Sequence, residues 1–511
     1  MAHYGNSVNE FFISRVREVY RKRKAVIDNI STAAQAQEYV ESVRVKWQKI
    51  FQFPENRCPL DPRITGIEHF PGYTVEKLYF YSRPGFPVTA NLYLPEKFSG
   101  KLPGVLFMCG HNREGKGTGP YRRACVGLAL KGFACLIIDP VEQGERRQYR
   151  QFKFPVLRSL CGNHNLMGRH LAVNGEWLGS WRAYDGVRAL DYLESRPEID
   201  PSQLIITGQS GGGTLTALVA ACDPRPAAAI PCCYISSWKA NIENELPVDI
   251  EQIPPLALKY GLEMADLLLA YPRHNLIIGQ IDDVFDHRGT LDSFETVKKI
   301  NSLLGKDTQV FIGPYPHSYH LEDREESYKF LTRHFKEAIS SKEPDFELPD
   351  LQTTLVCNDE ISTIPGNRFI HEIAAETAAK IAAERKVLNK AETAAAVREF
   401  FHIPEKIEMP AYRILRCICQ KNDNVASRFA LETETDRIMA ILYRLDLVRD
   451  FYHIPPAKNS GRATLIIPHL SALAETYERE IIPGEDLYAL DMRTIGALMP
   501  DGTDQIGRAH V

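Results

Sequence analysis

The stretch that decides the fold is Leu204-Ile205-Ile206-Thr207-Gly208-Gln209-Ser210-Gly211-Gly212-Gly213-Thr214. A short apolar, β-branched run meets a Gly-x-Ser-x-Gly pattern, and an Ala- and Leu-rich segment, 215–222, follows at once. This order predicts a strand, a tight turn and a helix, with Gly208 and Gly212 at positions where a Cβ would collide. Such a turn exposes the hydroxyl of Ser210.

A serine hydroxyl is a weak nucleophile until a base, an orienting acid and an oxyanion site accompany it. Between residues 103 and 339, short buried apolar runs alternate with segments of helical spacing. This alternation predicts an α/β fold with a doubly wound, mostly parallel sheet. Functional groups in such sheets gather at the carboxyl ends of the strands, so the partners of Ser210 are expected there.

Two later strands end in candidate partners. The predicted strand 274–278 is followed first by Asp282, and the predicted strand 308–312 is followed first by His317. We predict that His317 is the base and Asp282 the acid, because each comes soonest after its strand. Asp283 and Asp286 also remain possible for the acid, and His320 for the base.

The oxyanion site is expected beside the same turn. The backbone N–H of Gly211 supplies one donor, and His111 or Asn112, in the loop after an earlier buried strand, supplies the second. Loss of one such donor typically costs about 3–4 kcal/mol in the transition state. We interpret His111 as structural or as a backbone donor, and His164 and His170 as loop or pocket-wall residues. No metal site and no cofactor are predicted.

Composition excludes several classes of partner. The 511 residues are 44% hydrophobic and 25% charged, with a net charge of -4, so neither nucleic acid nor an anionic membrane is indicated. The eleven cysteines are interpreted as reduced thiols. Neither a signal-peptide core nor an apolar run of membrane-spanning length is evident, which favours a cytoplasmic location.

Several stretches carry a resemblance to a known family. They include Cys109-Gly110-His111, Gly144-Glu145-Arg146, Tyr184-Asp185-Gly186, Gly208–Gly213, Cys222-Asp223-Pro224-Arg225 and His317-Ser318-Tyr319. On these residues, 70–338 resembles the α/β-hydrolase superfamily, and within it the bacterial acetyl xylan esterase-like enzymes near the dienelactone hydrolases. The resemblance implies Ser210 as nucleophile, Asp282 as acid and His317 as base. Dienelactone hydrolases use a cysteine where this chain has Ser210.

The function expected from these residues is that of a serine esterase working through an acyl-enzyme. Its expected partner is a small-molecule or carbohydrate ester, such as an acetylated sugar. A serine peptidase of the prolyl-oligopeptidase kind and a non-catalytic binding or scaffold protein are the competing hypotheses. The oligomeric state is left open.

The second half of the chain repeats features of the first. The segment 462–469 resembles 105–111, and Asp491 precedes Gly496 at the spacing of Asp139 and Gly144. We therefore predict the truncated start of a second α/β-hydrolase-like domain. The predicted divisions are an N-terminal helical segment at 1–69, the catalytic domain at 70–340, a linker with helices at 341–423, the partial second domain at 424–505 and a non-native tail at 506–511.

Overall fold

The computed structural model describes residues 4–150, 160–246, 248–336, 340–358, 360–419, 425–434, 437–446, 461–477 and 486–499. The chain divides into two compact units. One combines Met1–Arg17 with Arg385–Gln505, and the other extends over Glu18–Glu384. The predicted tail at 506–511 lies outside the described residues.

The larger unit is built on a nine-stranded sheet. Its strands are β1 Arg63–Phe70, β2 Tyr73–Arg83, β3 Phe86–Pro95, β4 Leu102–Met108, β5 Ala134–Ile138, β6 Ile199–Gln209, β7 Ala228–Cys232, β8 His274–Asp282 and β9 Thr308–Pro316. Their order across the sheet is β1-β2-β3-β5-β4-β6-β7-β8-β9. The pairs β1–β2, β2–β3 and β3–β5 are antiparallel. The other five neighbouring pairs, from β5–β4 to β8–β9, are parallel. The predicted mostly parallel sheet is confirmed.

Helices cover both faces of this sheet. The helices in the described ranges of both units are α1 Gly5–Asp28, α2 Ala33–Ile50, α3 Gly119–Leu130, α4 Leu160–Val173, α5 Leu178–Ser195, α6 Gly211–Cys222, α7 Trp238–Glu243, α8 Ala265–Leu269, α9 His287–Leu303, α10 Leu321–Phe335, α11 Ile370–Glu384, α12 Lys390–Phe400 and α13 Ala472–Thr476. Because successive strand residues point to opposite faces, Leu106 and Ile206 join one apolar core and Phe107 and Ile205 the other. The first core lies under α2, α5, α6, α8 and α9, and the second under α3 and α10.

Strand β1 was not among the predicted elements. The sequence assigned residues 1–69 to helices, and α1 and α2 form there, but Arg63–Phe70 pairs with β2. Gly66 interrupts the alternation of apolar residues, and the register shifts between Ile64 and Gly66. Because the strand lies at the sheet edge with most of its side chains exposed, it carries little of the apolar pattern by which strands are recognised.

The turn between β6 and α6 is fixed by close backbone packing against the end of β4. A Cβ placed on Gly212 would lie 2.0 Å from the carbonyl oxygen of Met108. A Cβ placed on Gly208 would lie 2.4 Å from the same oxygen. These approaches are too short for any side chain, so the two glycines let α6 begin directly over the neighbouring strand.

The smaller unit contains a second sheet of five strands, β10 Ala411–Cys419, β11 Val425–Glu432, β12 Ala440–Asp446, β13 Ala463–Ile466 and β14 Asp486–Asp491. Their order is β10-β11-β12-β14-β13. Only the β13–β14 pairing is parallel among these described strands. Order and direction are those of β1-β2-β3-β5-β4 in the larger unit.

The turn after β5 in the larger unit and the turn after β14 in the smaller unit also agree in detail. Gly144 has φ +55° and packs against the carboxylate of Asp139, so that a Cβ added to Gly144 would lie 2.0 Å from the Asp139 Oδ1. Gly496 has φ +57° and packs against Asp491, at 2.3 Å. In each case the aspartate also accepts a backbone N–H from the preceding crossover, Lys116 for Asp139 and Ala472 for Asp491.

Two chemical findings accompany the fold. All eleven cysteines are free thiols, and most of them are buried or half-buried. No helix in the described part of the chain is both long and apolar enough to cross a bilayer.

The packing of Gly212 gives a test of the fold. We expect Gly212→Ala to lower the free energy of unfolding of the larger unit by about 3 kcal/mol, because the new methyl group overpacks against the backbone of Met108. Urea unfolding followed by tryptophan fluorescence measures this unit alone, since all four tryptophans, Trp47, Trp177, Trp181 and Trp238, lie within it.

The matched control is Gly119→Ala. At that position the nearest atom to a new Cβ is the Leu348 side chain at 3.9 Å, so we expect little change. Equal unfolding curves for the two variants would contradict the packing described for the turn.

Candidate active site

Ser210 occupies the sharp turn between β6 and α6. Its φ of 58° and ψ of -122° are unusual for a residue with a side chain. Its backbone N–H donates to the carbonyl of Cys232, and its own carbonyl accepts from the N–H of Thr214. The conformation is therefore held by the neighbouring strand and by the first turn of α6, and strained backbone of this kind is common at functional sites.

His317 reaches Ser210 from the segment that follows β9. Its Nε2 lies 2.8 Å from the Ser210 Oγ. The ring also packs near Phe285, with 6.0 Å between the ring centroids. The side-chain nitrogen of Gln209 is 3.4 Å from the same Nε2, and Gln209 is fixed in turn by the Tyr121 hydroxyl at 2.9 Å.

The carboxylate beside His317 is that of Asp283, not Asp282. The Asp283 Oδ1 lies 2.7 Å from the His317 Nδ1 and also accepts the backbone N–H of Phe285 at 3.0 Å. Its side chain is only 1% exposed. The histidine ring therefore stands between one serine oxygen and one buried carboxylate oxygen.

The prediction of Asp282 for this place is wrong, and the strand geometry explains why. Asp282 is the exposed last residue of β8 and pairs with Pro316. The register of β8 against β9 shifts between Gln280 and Asp282. Asp283, the first residue after the strand, turns its carboxylate toward the histidine instead.

Asp286 and His320, which the sequence left open as acid and base, have different partners. Asp286 caps the N-terminus of α9 and forms an ion pair with Arg288, and hydrogen bonds from Arg288 hold the pKa of the Asp286 carboxyl well below its usual value. His320 precedes α10, and its Nε2 lies 3.0 Å from the carbonyl oxygen of Pro316. Both residues serve local structure in these contacts.

Of the predicted oxyanion residues, Gly211 and His111 meet at the start of α6. Gly211 is the first residue of that helix, where backbone N–H groups have no intrahelical partner. His111 packs directly on it, since a Cβ on Gly211 would lie 2.8 Å from the His111 Nε2. The side-chain oxygen of Asn112 accepts a hydrogen bond from the backbone N–H of Glu114, and the backbone carbonyl of Asn112 accepts one from the Gln143 side chain at 3.2 Å.

The sequence did not predict the charged partners of His111. Its Nε2 lies 2.8 Å from Glu251 Oε1 and 3.7 Å from Asp249 Oδ2. His164, interpreted as a loop or pocket-wall residue, lies on helix α4 and contacts the same Asp249 oxygen through Nδ1 at 2.7 Å. Burial works against a charged His111, but Glu251 and Asp249 raise the pKa of its imidazole overall. Only the fold brings these groups together, because His111, His164 and Asp249 are far apart in sequence.

The chain is similar in sequence or fold to several known proteins. The acetyl xylan esterase (AXE1) family model matches residues 47–247. A putative hydrolase of Bacillus subtilis (strain 168), YtaP, is 24% identical over 243 residues, which are 44% of this chain and 76% of that protein. The solved structure of Methylesterase BT1017 superposes with a TM-score of 0.57 at 19% identity, covering 75% of this chain and 82% of its own.

These matches confirm the resemblance inferred from the sequence motifs. The structural likeness establishes the fold, and the family match carries the assignment as a carboxylic ester hydrolase. Residues 47–247 are thus similar in sequence to the acetyl xylan esterase family, and they belong to a larger unit whose fold is like that of the solved methylesterase.

Proposed function

We propose that this protein is a serine esterase in which Ser210 is the nucleophile, His317 the general base and Asp283 the orienting acid. The observation that carries the proposal is the continuous contact from the Ser210 Oγ through the His317 ring to the Asp283 Oδ1, at 2.8 Å and 2.7 Å. Each contact is of hydrogen-bonding length, and the two ring nitrogens face opposite partners.

The proposed reaction begins with attack of the Ser210 Oγ on the ester carbonyl, while His317 Nε2 takes the hydroxyl proton. Asp283 accepts the Nδ1–H, which fixes the tautomer and stabilises the imidazolium. Collapse of the tetrahedral intermediate expels the alcohol, which receives the proton from His317 and leaves an acyl group on Ser210. Water, deprotonated by His317, then attacks the acyl-enzyme and releases the acid, restoring Ser210.

The negative charge of each tetrahedral intermediate needs preorganised donors. The N–H of Gly211 is well placed for this role, because it belongs to the first turn of α6 next to Ser210. The second donor is proposed to come from the His111–Asn112 loop, which packs on Gly211. Helix α6 also directs the positive end of its dipole toward this position.

For the substrate we propose an acetyl or other small acyl ester of a carbohydrate. The proposal rests on the acetyl xylan esterase model that matches residues 47–247. One solved structure that superposes on this chain is a methylesterase by name, and a methyl ester has its small group on the alcohol side. A comparison of acetylated xylan with methyl uronates therefore distinguishes the two ester classes.

We also propose that strands β10 to β14 correspond to strands β1 to β5 of an α/β-hydrolase-like unit, so that the second domain predicted at 424–505 begins earlier, with β10 at Ala411. The support is the shared strand order and the matching turns, Asp139 with Gly144 and Asp491 with Gly496. Those elements precede the serine turn in the larger unit. Ser210, His317 and Asp283, the residues of the proposed chemistry, all lie in the larger unit.

Removal of the nucleophile is the first functional test. We expect Ser210→Ala to lower kcat for p-nitrophenyl acetate by about 10⁵-fold or more, because no acyl-enzyme forms without the hydroxyl. A fluorophosphonate probe should label the unchanged protein and not this variant. The control is Ser202→Ala, at an exposed serine of β6, which should keep full activity and labelling. Activity that survives in Ser210→Ala would exclude the proposed nucleophile.

The two adjacent aspartates provide the second test. We expect Asp283→Asn to lower kcat by on the order of 10⁴-fold with a small change in KM, because an amide no longer holds the histidine in the required tautomer. Asp282→Asn is the matched control, and its exposed side chain predicts a change within about twofold. The reverse ranking of the two variants would restore Asp282 as the acid.

A further inference from the structure

A compact group of nitrogen and oxygen ligands lies next to the proposed active site. We call it the His111 cluster and define it as His111, His164, Asp249 and Glu251. One side-chain ligand atom from each residue lies within 4.8 Å of those of the other three. We propose that the His111 cluster binds one divalent transition-metal ion of the zinc class.

The distances within the cluster suit such an ion. Zinc bound at about 2.0–2.1 Å by four tetrahedral ligands places those ligand atoms about 3.3 Å apart. Three of the separations are 2.7 Å for His164 Nδ1 to Asp249 Oδ2, 2.8 Å for His111 Nε2 to Glu251 Oε1 and 3.7 Å for His111 Nε2 to Asp249 Oδ2. All four ligand atoms lie within 4.8 Å of one another, so coordination requires the four side chains to adjust around the ion.

The donor set and its burial point the same way. Two imidazoles with two carboxylates form a ligand set typical of zinc and neighbouring transition metals, not of calcium or magnesium. The side chains of His164, Asp249 and Glu251 are at most 1% exposed, and that of His111 is 17% exposed. Burial of two carboxylates is costly unless cations compensate them.

Arg182 supplies one positive charge against these two carboxylates. It is fully buried and forms an ion pair with Glu251 Oε2, while Glu251 Oε1 faces His111. Asp249 divides its oxygens in the same manner: Oδ1 accepts the N–H of Glu251, and Oδ2 faces both histidines. Each carboxylate thus has one oxygen held by a protein group and one oxygen that faces the histidines. Metal-binding carboxylates are commonly held by hydrogen bonds in this way.

The position of the cluster gives the ion a structural task. His111 follows β4, His164 lies on α4, and Asp249 and Glu251 belong to the segment between α7 and α8. A bound ion would fasten these three parts together against Gly211, where the oxyanion donor is proposed. The cluster has no direct contact with the Ser210–His317 pair among the described hydrogen bonds, so the ion positions the site and does not replace the serine chemistry.

The test uses untagged protein that carries Ser210→Ala, treated with EDTA and then titrated with ZnCl₂ by calorimetry. Because this background has no proposed nucleophile, its result is independent of the esterase assignment. We expect one Zn²⁺ per chain, a rise in Tm on addition of Zn²⁺ alone, and the visible absorption of tetrahedral Co²⁺ when cobalt is used instead.

Two conservative variants locate the ion. Asp249→Asn and His164→Gln, each in the same background, should weaken Zn²⁺ binding by about 100-fold or more, whereas His69→Gln, at an exposed histidine of β1, should not. Circular dichroism after EDTA treatment checks that each variant is folded. Absence of a stoichiometric Zn²⁺ site in the background protein, or equal binding in Asp249→Asn and His69→Gln, would overturn the proposal.

Discussion

The structure depends on the close approach of the β6–α6 turn to the end of β4. Gly208 and Gly212 meet the Met108 carbonyl oxygen at distances that no side chain would permit. This contact lets α6 start immediately after Ser210 and holds that residue at a positive φ. The strained serine, the free N–H groups of the helix start and the adjoining His111 loop all follow from it.

The remaining groups reach Ser210 because parallel strands end at one edge of the sheet. His317 follows β9 and Asp283 follows β8, and these two strands are neighbours in the sheet order. The hydrogen-bonded chain therefore crosses from one strand end to the next. The helical segment between β7 and β8 closes another side, where Asp249 and Glu251 pair with His111 and His164.

Local pattern was sufficient to predict the serine turn, the parallel strands and the position of His317 just after the last of them, because each has a signal within a few residues. It was not sufficient for the carboxylate beside His317, since Asp282 and Asp283 are adjacent and only the structure shows which one contacts the histidine. Strand β1 was missed because its edge position leaves little apolar alternation. The partners of His111 come from distant segments, and no local spacing indicates them.

The most direct test of the proposed mechanism is the identity of the covalent intermediate. Wild-type protein is mixed with an activated acetyl ester, quenched within the first turnover and analysed by peptide mass spectrometry. We expect a single acetyl group on the peptide that contains Ser210, formed and lost at rates consistent with turnover. Steady hydrolysis without an acetylated Ser210, or with the acetyl group on another residue, would contradict the mechanism.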